Sequence, residues 1–132
     1  MKRVVLDASA LMTFFEDRSG ADKVEQLIAL ATEGKRELVM SVVNWGEVYY
    51  SVWRAKGSEV AKQVAAQIGQ LPMEILDADM ELTKLAAEFR AKHKLPYADC
   101  FAAAVAKQLK AQIATSDRDF SLIEGELPLM WI

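Results

Sequence analysis

Arg3-Val4-Val5-Leu6-Asp7-Ala8-Ser9 decides the fold. The run is apolar and β-branched without alternation, which suits a central strand buried on both faces. It stops on an acid, and Ala8-Ser9-Ala10-Leu11-Met12 then reads as a short helix. In a parallel α/β sheet the carboxyl ends of the strands share one edge, outside which ligands bind. Two further acids fall at comparable points. Asp117 closes Ile113-Ala114-Thr115-Ser116, and Asp99 follows Pro96 at the start of an Ala-rich helix.

Outward from that first strand, period-2 or unbroken apolar runs alternate with helical spacing. Strands are expected over Arg3–Asp7, Glu37–Ser41, Met73–Leu76, Ala111–Ser116 and Leu129–Ile132. Between them Val24, Leu27, Ile28 and Ala31 recur as one helical face, ended by Gly34. Ser41 is a favourable N-cap for a third helix reaching about Lys56. Gly57-Ser58 restarts a fourth, lined by Val60, Val64, Ile68 and Leu71 until Gly69 and Pro72. Asp77 or Asp79 caps a fifth, with Leu82, Leu85, Ala86 and Phe89 inward. Pro96 suits the first position of a sixth, with Phe101, Val105 and Leu109 inward. Strands alternating with helices imply a three-layer α/β/α sandwich around a mainly parallel sheet.

The 132 residues suggest one domain, 1–132. A single cysteine excludes an internal disulfide and fits a reducing compartment. Asp7 interrupts the N-terminal apolar stretch too early for a signal peptide, and no run approaches a membrane span, so a cytoplasmic protein with no membrane partner is expected. The net charge of -3 excludes a strongly basic nucleic-acid binder. That balance shifts once Asp7, Glu47, Asp99, Asp117 and Asp119 are set aside as a neutralised cluster. The remainder is slightly positive, and a polyanion is no longer repelled.

Taken singly, these acids have ordinary explanations. Asp7 caps a helix, Asp99 suits a first turn, and Ser116 with Asp119 resembles a capping box. Glu47 is different. It lies too deep in the third helix to cap it, among Val42, Val43, Trp45, Val48 and Tyr49, yet close enough to reach back over the sheet edge. Carboxylates converging there would raise one another's pKa unless a cation sat among them. Mg²⁺ or Mn²⁺ suits an all-oxygen donor set. No His/Cys set competes: His93 in Lys92-His93-Lys94 reads as a solvated helix end and Cys100 as buried filler.

Val4-Val5-Leu6-Asp7-Ala8-Ser9, Glu47 on a helix, Tyr97-Ala98-Asp99 and Ala114-Thr115-Ser116-Asp117-Arg118-Asp119-Phe120 together resemble the PIN domain. The likeness covers essentially the whole chain. It looks most like the small VapC-type toxins, which are Mg²⁺-dependent ribonucleases. The resemblance implies catalytic and metal roles for Asp7, Glu47, Asp99 and Asp117, with Asp119 a fifth acid reached through water. Ser9, Thr115 and Ser116 occupy the family's hydroxyl positions, where they orient carboxylates or water, or else satisfy local backbone. It further implies an endoribonuclease leaving 3′-hydroxyl and 5′-phosphate ends, a homodimer, and an antitoxin partner laid across the active-site groove.

RNA requires positive groups near the acids. Arg18, Arg54 and Arg118 are the rim candidates, and single-stranded or looped RNA is the expected substrate. A different class of function competes. Trp45, Tyr49, Tyr50 and Trp53 form an aromatic stripe, either core packing or the anchor of a non-catalytic interaction module on the same fold. A receiver domain lacks its aspartate and lysine pattern here. Ser9 stands where a haloacid-dehalogenase-like phosphatase would carry its second aspartate. No Gly-rich phosphate loop follows the first strand.

Overall fold

In the computed structural model, which describes residues 2–132, five strands form one sheet. They are β1 (Lys2–Leu6), β2 (Arg36–Ser41), β3 (Met73–Leu76), β4 (Gln112–Thr115) and β5 (Leu129–Trp131). The order is β3-β2-β1-β4-β5 and every neighbouring pair is parallel, so the sheet is wholly rather than mainly parallel. The helices are α1 (Ala8–Phe15), α2 (Ala21–Thr32), α3 (Val42–Lys56), α4 (Ser58–Ile68), α5 (Met80–Lys92) and α6 (Tyr97–Leu109), with a 3₁₀ segment over Arg118–Ile123.

Register sorts the core into two layers. Val5 lies opposite Val39 on one side and Ile113 on the other, and all three pack with α5, α6 and the 3₁₀ segment. Val4, Leu6, Leu38, Met40 and Ala114 face the other way, onto α1 to α4. That is the α/β/α sandwich. Val4, Val5 and Leu6 are fully buried, and each stabilises the fold by roughly 1.5–3 kcal/mol. The small side chains Ala102, Ala103, Ala104 and Ala106 are buried too, which lets α6 lie close against the sheet.

Several boundaries differ from the sequence reading, mostly where a cap competes with a regular element. Asp7 is not a strand residue but the N-cap of α1, which continues to Phe15. Asp79, not Asp77, caps α5. Pro96 stands at the N-cap of α6 rather than inside it. α4 stops at Ile68, and Leu71 packs on the core from beyond the helix. The 3₁₀ segment was not anticipated. Its cap is Asp117, whose carboxylate accepts from the Asp119 amide, in place of a Ser116–Asp119 box.

The strand order reverses between β1 and β4, and this is the crevice where such sheets bind ligands. Gly20 (φ +100°) closes the same edge. A Cβ there would stand 2.6 Å from the Ile132 carbonyl carbon, so only glycine lets the 17–20 turn lie against the end of β5. No helix among the described residues is long and apolar enough to cross a membrane.

Candidate metal centre

Asp7 directly follows β1 as the N-cap of α1 and is 2% exposed. Its Oδ1 accepts from the Ala10 amide (2.9 Å) and the Ser9 hydroxyl (2.7 Å), and its Oδ2 accepts from the Thr115 hydroxyl. Those hydroxyls are fed in turn. The Ser116 amide donates to Ser9 Oγ (3.0 Å) and the Asp117 amide to Thr115 Oγ1 (2.9 Å). Two amides at the end of β4 thus polarise two hydroxyls that hold one carboxylate, a chain in which each bond strengthens the next. The Ser9 and Thr115 hydroxyls both hold a carboxylate and accept from backbone amides, while Ser116 contributes its backbone amide.

Asp99 sits in the first turn of α6 and is 7% exposed. Its Oδ2 is buried without a hydrogen-bond partner among the described residues. Asp117 follows β4 across the crevice. Carboxylate oxygens of Asp99, Asp117 and Asp119 lie within 4.8 Å of one another. Glu47 enters from α3, held by Asn44, whose Nδ2 donates to Glu47 Oε1 (2.9 Å) and to the Ala98 carbonyl (3.0 Å).

The electrostatics follow from this crowding. Burial, then the charge of Asp117, a hydrogen bond with it, and the charges of Asp7 and Glu47 push the Asp99 carboxyl up to about 8. Burial pushes Asp7 up to about 6 although Thr115, Ser9 and the Ala10 amide oppose it; Asp117 adds to the rise. Burial also raises Glu47, opposed by the Asn44 hydrogen bond and reinforced by Asp117. Asp99 thus feels the other three acids, while Asp7 and Glu47 each feel Asp117. Asp7 caps α1 and Asp99 lies in the first turn of α6, so two helix N-termini offset part of the repulsion. An orphaned buried carboxylate oxygen among hard oxygen donors fits a small divalent cation. The donor set lacks the soft ligands that would select zinc or copper.

The rim arginines lie in different settings. Arg18 pairs with Glu16 (2.9 Å) in the turn beside Ile132. Arg54 is exposed on α3, seven residues after Glu47 and so on the same helical face, about 10 Å along the axis. Arg118 stacks its Cζ 4.4 Å from the centre of the Trp131 ring. The aromatic stripe of α3 is divided. Trp45 and Tyr49 stack at 5.1 Å and pack on the core, while Tyr50 (51%) and Trp53 (46%) are exposed. His93 departs from the expected solvated end. Its side chain is 19% exposed, stacks on Phe89 and lies 2.9 Å from Glu126. Cys100 is buried as expected, and burial pushes its thiol up to about 11.

Asn44 escaped the sequence reading although a signal existed. It precedes Glu47 by three residues, which puts the pair on one helical face. Trp131 carried no such signal, because its place beside Thr115 is a matter of strand register.

Comparison with known proteins agrees with this geometry. The profile of the family described as PIN domain matches residues 4–126. No curated protein matches the chain by sequence. Among solved structures, the chain is similar to VapBC2 from Rickettsia felis bound to a DNA fragment from their promoter, with TM-score 0.78 and 19% identity over 98% of each chain. It is similar to VapC20 from Mycobacterium tuberculosis, a sarcin-ricin-loop-cleaving toxin, with TM-score 0.74 and 17% identity, covering 94% of this chain and 95% of that one. VapBC-1 from nontypeable Haemophilus influenzae gives TM-score 0.72 and 18% identity, covering 97% and 96%. At these identities the likeness is one of fold.

Proposed function

The chain belongs to the PIN domain family, and from that premise we propose that it is an endoribonuclease dependent on Mg²⁺ or Mn²⁺, the toxin of a toxin–antitoxin pair, acting as one domain over residues 1–132. The observation that carries this reading is the crowding of acids at the strand-order switch: carboxylate oxygens of Asp99, Asp117 and Asp119 lie within 4.8 Å of one another, and the charges of Asp7 and Glu47 reach Asp99. Each of Asp7, Glu47 and Asp99 is raised by burial and by the charge of Asp117. A buried oxygen of Asp99 lacks any hydrogen-bond partner among the described residues. The toxin–antitoxin complexes among the structural neighbours support the assignment of class.

Asp7, Asp99 and Asp117 hold the cation in this reading, with Glu47 completing the set and Asp119 acting through water. A bound divalent cation supplies a lowered water pKa and neutralises charge on the phosphate oxygens. The protein's own contribution is rigidity. Ser9 and Thr115 fix the Asp7 carboxylate, and Asn44 fixes Glu47 against α6. Water attacks phosphorus in line as the bond to the 3′ oxygen breaks. The leaving oxygen takes a proton, so the products carry 3′-hydroxyl and 5′-phosphate ends. RNA enters unpaired, as a single strand or loop, between the rim arginines Arg18, Arg54 and Arg118. A cognate antitoxin, a homodimer and a cytoplasmic site of action belong to the same reading.

The test is incubation of a mixed RNA pool with Mn²⁺ or with EDTA, followed by mapping of the cut ends. Cleavage in Mn²⁺ alone, with 5′-phosphate termini, is the expected outcome. Identical cutting in EDTA would reject the metal-dependent mechanism. The competing reading, a non-catalytic interaction module, rests on exposed Tyr50 and Trp53; it predicts no metal-dependent cutting at all.

A further inference from the structure

Arg118 stands between two aspartates, Asp117 and Asp119, yet pairs with neither. It makes no ion pair among the described residues. Its guanidinium instead lies over the indole of Trp131, 4.4 Å from the ring centre. That indole is itself held. Its Nε1 donates to Glu124 (2.9 Å), its backbone carbonyl accepts from Lys23 Nζ (3.1 Å), and β5 places it opposite Thr115. An arginine stacked by its face keeps its in-plane N–H groups free for another ligand. Arg118 is exposed, follows the carboxyl end of β4, and stands one residue from each of two acids of the cluster.

A solvated arginine flanked by two carboxylates would be drawn onto them, and its charge would be spent on ligands that a cation also needs. Stacking on Trp131 prevents that collapse. The arm is thereby prearranged for an anion beside the acidic crevice, and a fork of donors matches a phosphate's oxygens. Arg18 contrasts with it, being engaged by Glu16.

We propose that Arg118, held on the Trp131 indole, is the phosphate-binding arm of the site, gripping an RNA phosphodiester next to the one that is cut, and that Trp131 is its positioning residue. The proposal rests on the nuclease reading above and adds to it a specific contact with the substrate backbone.

Fluorescence anisotropy with a short, unstructured, labelled oligoribonucleotide tests it, with Ca²⁺ replacing Mg²⁺ to suppress turnover and salt concentration varied. Arg118→Ala should weaken binding roughly tenfold and reduce the salt slope by about one. Arg118→Lys should recover only part of this, since an ammonium neither stacks nor forks. Trp131→Ala should weaken binding about threefold in the parent but not in the Arg118→Ala background. Trp131→Leu, which keeps apolar bulk but removes the aromatic face, serves if Trp131→Ala fails to fold, and should weaken binding by the same factor. Mn²⁺ affinity, read by paramagnetic resonance, should be unchanged in Arg118→Ala. Equal RNA affinity and salt slope in Arg118→Ala and the parent would overturn the proposal, as would a Trp131 effect that persists without Arg118. If the parent binds Mn²⁺ but no RNA, the nuclease reading itself fails, and the role of Arg118 with it.

Discussion

Asp7 does two jobs with one carboxylate. Oδ1 caps α1 and Oδ2 takes the Thr115 hydroxyl at the crevice. Asparagine caps helices about as well as aspartate, so Asp7→Asn should alter stability by no more than about 1 kcal/mol. It removes a charged oxygen from the cluster, and cleavage of RNA in Mn²⁺ should fall by at least about a thousandfold. A variant that cuts as fast as the parent would discredit the assignment. Asn44 offers a subtler check. Its amide spans Glu47 and the Ala98 carbonyl from a fully buried position. Asn44→Ala should cost about 1–3 kcal/mol and weaken Mn²⁺ binding, measured calorimetrically. In a Glu47→Gln background the loss of Mn²⁺ affinity should be much smaller, because the clamp then has no carboxylate to position. Both residues were accessible to sequence reading in different degrees. Asp7 announced itself by ending an apolar run, whereas Asn44 looked like any polar residue on a helix.

At the level of elements, the 3₁₀ segment over Arg118–Ile123 carries Asp119 and turns Arg118 outward. Fully buried Phe120 anchors it in the layer of α5 and α6. Phe120→Ala should destabilise the protein by about 3–5 kcal/mol, seen as a lower midpoint in thermal or urea unfolding. The loss of Mn²⁺ affinity at subsaturating metal should exceed that of an equally destabilising change remote from the crevice. Leu27→Ala in α2 supplies that control, since Leu27 belongs to the opposite layer. This segment was not legible in advance. Its sequence, Arg-Asp-Phe-Ser-Leu-Ile, has too few residues for helical periodicity to register, and the cap that defines it is a side-chain bond to Asp119. The long helices α3 and α6 were legible because they display several turns of spacing and clear starts at Ser41 and Pro96.

For the whole molecule, the clustered acids couple stability to pH and to cation. Asp99 at about 8 and Asp7 at about 6 both lie above their usual 3.8. Between roughly pH 4 and pH 8 the folded, cation-free protein holds protons that the unfolded chain has released, so its stability declines as pH rises through that window. In EDTA the Tm should be lower at pH 8 than at pH 5 by roughly 5–10 °C. Mg²⁺ or Mn²⁺ should restore more at pH 8 than at pH 5, because the cation competes with those protons. Calorimetric scans showing a cation effect independent of pH would refute the shared site. Light scattering on a sizing column checks the proposed homodimer, which predicts twice the 14.7 kDa chain mass; a strict monomer at high concentration would exclude it. The order of strands and helices, the carboxyl-end position of Asp7 and Asp117, and the family resemblance were legible in the chain alone, because these depend on local spacing and chain-neighbour chemistry. That β4 lies beside β1, that Thr115 reaches Asp7, and that Arg118 lies over Trp131 emerge from the folded arrangement. Those are contacts between segments about a hundred residues apart or joined through strand register, and no local propensity encodes them.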